Sequence, residues 1–446
     1  MIHPLLTEKL SDMRFAFFFL LVLATKISAQ NTLYFPPVVG NTWAGTPPAE
    51  LGFCPERVDS LYQFLAENNT KSFILLQDGK IVLEKYFGTF TRDSFWYWAS
   101  AGKSLTAFLV GQAQEEGLLD IHAPTSTYLG AGWTACPPDK ELLITPWHHL
   151  TMTSGLEDVT LDDNCTDPAC LQYKTDAGAR WAYYNAPYRL LHDVIEAAAG
   201  QTINLFTKTR VFDPTGMKGL WIDHVMYGRA RDMARFGLLA LANGVWNGDT
   251  LLHDQQYFFD MTHPSQDLNK SYGYLWWLNG QPSFMLPDVP FVFPGKIIPN
   301  APDDLFAALG KNDQKIHVVP SKGWVVVRQG EAAGGPNGNL VPVVFDNQMW
   351  ARLNTLVCNP TAIQETAHKP AITIQPNPAG EAWTISATAP IERLELYNSA
   401  GQPAVIRAGL SDYTHRIEAA DLPAGVYFVK IWSDGSLQVR ALLRRD

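Results

Sequence analysis

Apolar residues change their spacing several times along the chain. Between residues 54 and 67 they recur at Val58, Leu61, Phe64 and Leu65, which places them on one face of a helix. The period then shortens. Residues 72–77 and 81–86 are two β-prone runs on either side of Asp78-Gly79-Lys80, and a short Asp-Gly turn between such runs predicts a hairpin. A helix is predicted from Ser100, carrying the apolar run Leu105 to Val110 and stopping near Gly117. From about Asp120 to Trp246 the pattern is rich in helices and loops, with predicted helices over residues 186–199 and 229–243 that end at Gly200 and before Gly244. Strand-like runs return from Phe306 onward, at 315–319 and 324–328 around the turn 320–323. Residues 351–357 read as a last helix, and 281–304 show little regular pattern.

Helix, hairpin, helical stretch, strands and helix, in that order, predict an α+β domain: a sheet flanked by helices with an all-helical lobe inserted. After Cys358 the character changes. Residues 359–369 are polar and linker-like, and from Pro370 short alternating strands appear at 371–374, 383–385, 394–397 and 426–431, as in a small β-sandwich. At the other end, Arg14 precedes the apolar run Phe15 to Ala24, and Ser28-Ala29 follow. That is the layout of a cleaved signal peptide, with an uncleaved anchor as the alternative. The expected organisation is therefore a signal peptide over 1–30, a main domain over 31–358, a linker over 359–369 and a β-sandwich over 370–446. No later segment is long and apolar enough to span a bilayer.

With 46% hydrophobic residues the chain has material for a large core, and a net charge of −10 argues against a nucleic-acid partner. Export makes the five cysteines candidates for disulfides. The expected pairs are Cys165–Cys170, a local staple, and Cys54–Cys358, leaving Cys136 free. No Cys/His cluster has the spacing of a metal site, and no cofactor is called for.

The candidate chemistry lies in Trp98-Ala99-Ser100-Ala101-Gly102-Lys103-Ser104. Positions three apart share a helix face, so the Lys103 amine can reach the Ser100 hydroxyl, a poor nucleophile until a base activates it. The spacing alone is a weak signal, and a solvated serine and lysine on a helix's first turn is its plainer reading. Eighty residues beyond Lys103, Tyr183-Tyr184-Asn185 offers a phenol and an amide. A phenol beside an ammonium ionises more easily and serves as a base, and the Asn185 amide can orient a substrate carbonyl and hold the lysine. An aromatic core turn with Asn185 capping the next helix is an equally good reading of the segment alone. Two further patterns are His149-Leu150-Thr151-Met152-Thr153-Ser154-Gly155-Leu156 and Phe306-Ala307-Ala308-Leu309-Gly310-Lys311.

Together with the segments 231–237 and 272–277, these motifs resemble the serine β-lactamase and penicillin-binding superfamily, above all class C β-lactamases and the related esterases and amidases, including 6-aminohexanoate-dimer hydrolases. The resemblance spans roughly residues 50–357. It implies a β-lactamase/transpeptidase-like antiparallel sheet and an acyl-enzyme mechanism, with Ser100 as nucleophile and Lys103 and Tyr183 sharing the proton work, Tyr183 serving deacylation. It also implies oxyanion donors at the backbone N–H of Ser100 and of Lys311, next to Gly310. The third motif departs from the family: Ala308-Leu309-Gly310 has no Lys or His at its first position. A neutral ester or amide is therefore expected as substrate ahead of a β-lactam, with Phe95, Trp96, Trp98, Trp181 and Trp276 as candidate pocket walls, though packing in the core is the commoner fate of such side chains. Met152 stands where many relatives have His, a position expected to be structural. A penicillin-recognising or ligand-binding protein of the same fold, without efficient turnover, is the rival reading.

In the C-terminal part, Gln375-Pro376-Asn377-Pro378, Leu396-Tyr397-Asn398-Ser399-Ala400-Gly401 and Leu422-Pro423-Ala424-Gly425-Val426-Tyr427-Phe428-Val429-Lys430 resemble the sorting domain of the type IX secretion system. That implies the secretion machinery as a partner and passage through the outer membrane, followed by removal of the domain or anchoring at the cell surface. An accessory β-domain is the alternative.

Overall fold

The computed structural model describes residues 33–334, 343–358, 370–399 and 401–445. The expected signal peptide and linker lie outside the described residues. Helix α1 (Pro55–Glu67) precedes the hairpin of β1 (Thr70–Gln77) and β2 (Lys80–Tyr86). Helices α2 (Gly102–Glu115), α3 (Asn185–Ala199) and α4 (Ala230–Leu241) follow, then the short strand β3 (Trp277–Leu278). A separate hairpin of β4 (Ser283–Leu286) and β5 (Val289–Pro294) comes next, then β6 (Phe306–Gly310), β7 (Gln314–Val319), β8 (Trp324–Gly330) and α5 (Val344–Leu353).

The Asp-Gly signal is realised as expected. Gln77 pairs with Lys80 across Asp78 and Gly79, whose φ values are +49° and +81°. This left-handed pair matches the twist of the strands it joins, and Gly79 adopts it without strain. The hairpin forms one edge of a six-stranded antiparallel sheet in the order β2-β1-β8-β7-β6-β3. The chain between β2 and β3 is almost all helix and loop; it holds the inserted lobe together with the core helix α2 and with α4, which packs on the sheet.

Alternation along β8 puts helices on both faces of this sheet. Trp324 and Arg328 meet Trp350 and Phe345 of α5, while Val325 faces α4 at Gly237. Helix α1 joins α5 through Phe64, stacked on Phe345 at 5.5 Å. The disulfide Cys54–Cys358 ties the residue before α1 to the chain just beyond α5, closing a sequence separation of 304 residues. Cys165–Cys170 is the second bridge and Cys136 is free, as expected. Helix α2 is buried from Gly102 to Ala113, so it is the core helix of the domain.

Three elements differ from expectation. The last helix covers Val344–Leu353 rather than 351–357; Phe345, Met349 and Leu353 supply its apolar stripe, and Val357 instead bridges to Phe53. Residues 281–304 contain the β4–β5 hairpin, masked in the sequence by Pro287, Pro290 and Pro294. The C-terminal part is a curled five-stranded antiparallel sheet with strands longer than predicted, one of them Ala382–Asn398. The strand Pro403–Glu418 escaped notice because it is exposed along most of its length and shows no alternation.

A buried charge network fastens α5 to β7. Lys315 Nζ lies 2.7 Å from Asp346 and 3.2 Å from Asp313. His317 Nε2 is 2.8 Å from the other Asp346 oxygen, and Trp350 Nε1 donates to His317 Nδ1 at 2.9 Å. Burial alone would pull the Lys315 pKa down, but the two carboxylates outweigh it and leave it raised. Removing one member of a buried ion pair strands the other. Asp346→Asn is thus expected to cost about 3–5 kcal/mol, read as an earlier urea midpoint. An unchanged midpoint would show the network to be dispensable.

Candidate active site

Ser100 is presented by a tight turn rather than by the α-helix itself. Trp98 is fully buried and its N–H donates to Met226 O at 2.7 Å, which pins the chain before the turn. Ala99 then takes φ +48°, a left-handed conformation rare for a residue with a side chain. A single 3₁₀ turn, Ala99–Ala101, carries Ser100 into the cleft, and α2 begins at Gly102. Strand β6 comes against this turn because residue 310 is glycine: a Cβ there would sit 2.5 Å from Trp98 O and 2.9 Å from the Ala101 nitrogen. The Gly310–Lys311 corner is thereby brought beside Ser100.

The stretch 149–156 positions Tyr183 through backbone hydrogen bonds to the residues before it. Ala182 N–H donates to Met152 O at 2.9 Å, and Gly178 N–H to Thr153 O at 2.8 Å. Met152 is buried and left-handed, so its role here is to shape the turn. His149, fully buried, lies 2.6 Å from Pro187 O in the first turn of α3 and 3.1 Å from Thr125 Oγ1. Burial lowers its pKa to about 4, which keeps the ring neutral.

These elements converge on Lys103. Its Nζ is 2.9 Å from Ser100 Oγ and 2.8 Å from Asn185 Oδ1, with the rings of Tyr188 and Tyr183 centred 4.3 and 5.2 Å away. Burial is the main cause of a pKa lowered to about 7; the nearby Arg189 guanidinium adds to it and Asp163 opposes it. Tyr183 moves the other way. Burial raises its pKa, and a hydrogen bond with Ser100 recovers only part of the shift. The expectation that an ammonium would ease ionisation of this phenol is therefore reversed. The amine loses its charge near neutrality, so little positive field remains to favour a phenolate.

The cleft above Ser100 has a volume of about 670 Å³. Tyr183, Trp277, Leu286, Ile297 and Leu309 give it apolar walls, and Asp163, Arg189, Asp288, Lys311 and Lys315 bring charge. Tyr183 and Trp277 stack with centroids 5.8 Å apart. The aromatic residues expected as walls are elsewhere. Trp98, Trp181 and Trp276 are buried in the core, Trp96 packs on Phe90, and Phe95 is solvent-exposed.

Residues 69–328, more than half of the chain, match the beta-lactamase family. The chain belongs to that family. Residues 373–443 match the secretion system C-terminal sorting domain, which directs export by type IX secretion to the cell surface or the medium. No described helix is long and apolar enough to cross a membrane. An uncharacterized protein of Alkalihalophilus pseudofirmus is 22% identical over 315 residues, 61% of this chain and 87% of the relative. Among solved structures, a Bacillus anthracis protein assigned as a 6-aminohexanoate-dimer hydrolase aligns with a TM-score of 0.55 at 18% identity, over 72% of this chain and 89% of that one. A family VIII carboxylesterase aligns with a TM-score of 0.51 at 14% identity, over 70% of this chain and all of that one. At these identities the structural likeness speaks for the fold.

In this beta-lactamase family member, sequence reasoning missed Asp163. Its Oδ2 accepts a 2.6 Å hydrogen bond from Asn185 Nδ2, so both ends of the Asn185 amide are engaged within the chain. Nothing in the sequence separates Asp163 from Asp162 beside it; the Cys165–Cys170 staple marked the loop but not the residue. After β6, Asn312 and Asp313 are both left-handed, and buried Arg328 holds their carbonyls at 2.8 and 3.0 Å. Gly310→Ala should force this corner off the Ser100 turn. A displacement of that kind predicts a fluorophosphonate labelling rate at Ser100 about a hundred-fold lower, with the far-ultraviolet circular dichroism unchanged. Labelling at the parent rate would contradict this account of the close approach.

Proposed function

We propose that this chain is an exported serine hydrolase that acylates Ser100 and hydrolyses a neutral ester or amide. The observation that carries the proposal is Lys103 Nζ, 2.9 Å from Ser100 Oγ, with a pKa lowered to about 7. An ordinary lysine is neutral in roughly one molecule in a thousand at pH 7.5. Lys103 is mostly neutral there and has a lone pair free to take the serine proton. Ser100 Oγ then bonds to the substrate carbonyl carbon, and the oxyanion is received by the backbone N–H groups of Ser100 and Lys311. Loss of one such donor costs about 3–4 kcal/mol of transition-state stabilisation.

Tyr183 stays protonated and serves better as a donor than as a base. Its phenol protonates the leaving alcohol or amine and recovers a proton from Lys103. In deacylation, water attacks the acyl carbon, its proton passes to Lys103 through Tyr183, and Ser100 Oγ leaves and takes that proton back from Lys103. Apolar walls at Trp277, Leu286, Ile297 and Leu309, and Ala308 in place of a cation, favour a neutral acyl group.

The test is a side-by-side assay of a p-nitrophenyl ester series, a short amide oligomer and a β-lactam, with Ser100→Ala as control. Turnover of an ester or amide that Ser100→Ala abolishes is expected; turnover that survives Ser100→Ala would remove Ser100 as nucleophile. The rate should rise with pH through a limb centred near pH 7, because the neutral amine is the active form. Asp163 raises the Lys103 pKa, so Asp163→Ala should move that limb to lower pH. A limb at ordinary lysine pH would refute the assignment of the base.

One observation favours the rival reading of recognition without efficient turnover. Asp163 occupies Asn185 Nδ2, the donor a substrate carbonyl would need. On that reading, a labelled penicillin or ester gives an adduct at Ser100 that never clears.

A further inference from the structure

The β4–β5 hairpin belongs to two neighbourhoods. Its tip, Leu286-Pro287-Asp288, lines the cleft. Its aromatic residues meet the sorting domain. Phe428 stacks on Phe291 with centroids 6.4 Å apart and meets Phe293 edge-on at 5.3 Å. Tyr397 lies 5.4 Å from Phe291, and Lys430 Nζ sits 4.7 Å over the same ring. Phe428 is buried in the main hydrophobic core and is absent from the cluster around Trp383 that holds the sorting domain together.

The sorting domain adds to the support the hairpin takes from the main domain, where Met285 N–H donates to Asn269 Oδ1 and Ser271 Oγ donates to Ser283 O. The hairpin is a two-stranded sheet of its own, not paired to the six-stranded sheet, and its register shifts between Val289 and Phe293. An isolated two-stranded hairpin is marginal in water and gains order from side-chain packing. Part of that packing comes from the sorting domain.

We propose that the sorting domain, docked through Phe428, Tyr397 and Lys430, orders the wall of the substrate cleft. The unprocessed chain then has the tighter site, and detachment of the sorting domain loosens the hairpin tip and weakens substrate binding. The link to substrate rests on the hydrolase reading above; the link to hairpin order does not.

The test uses the full-length chain and two variants, Phe428→Ala and Lys430→Glu. Hydrogen exchange of peptides covering 283–294 should quicken about three- to ten-fold, the effect of losing one aromatic contact. Peptides within Ala382–Asn398 report whether the sorting domain remains folded. KM for a hydrolysed p-nitrophenyl ester should rise by a similar factor, with kcat within about two-fold. Unchanged hairpin exchange with an intact sorting domain, in either variant, would overturn the proposal. If Phe428→Ala unfolds the sorting domain, Lys430→Glu decides. Faster hairpin exchange in a chain that turns over no substrate would leave docking in place and remove the hydrolase reading instead.

Discussion

Everything at the candidate site depends on burying one amine. Lys103 sits at the start of the core helix, where the main domain's sheet and its helical insert meet, and its Nζ is sealed by Tyr183, Tyr188, Asn185 and Ser100. A cation in that place is expensive, so the group gives up its proton near neutrality instead. On the mechanism proposed above, that cost is what makes the serine proton transferable. The surroundings then read as devices for maintaining burial. The left-handed Ala99 turns Ser100 toward the amine, Gly310 lets β6 close on the turn, and the stretch 149–156 pins Tyr183 from behind.

The parts of the fold that were legible in the sequence were those written locally. Asp78-Gly79 specified a hairpin by turn chemistry alone, and the apolar stripes of α1 and α3 specified helices by period. The family motifs brought Ser100, Lys103, Tyr183 and Asn185 together on the list of candidates, and the structure places all four within one cleft. Less legible was whatever depends on distance through space. The direction of the Tyr183 shift follows from how completely its phenol is enclosed, which no spacing reveals. Asp163 is one carboxylate among several in its loop, distinguished only by reaching Asn185. Of the aromatic residues offered as walls, Trp98, Trp181 and Trp276 lie in the core, the commoner fate of such side chains.

The charged groups illustrate two answers to the same problem. Lys103 has no carboxylate in contact and is pushed toward neutrality. Lys315, equally buried and also reaching the cleft, is held between Asp346 and Asp313 and stays charged. One lysine is thereby suited to the proton transfer proposed for it, and the other holds α5 against β7. The difference lies in partners, not in depth.

The most direct test is the titration of Lys103 itself. In chain labelled with ¹³C at lysine Cε, with Lys103→Arg to assign the signal, one resonance should titrate with a midpoint near pH 7 while ordinary lysines titrate near their usual value. A Lys103 signal that keeps the shift of an ammonium up to the range of a solvent-exposed lysine would contradict the account at its centre.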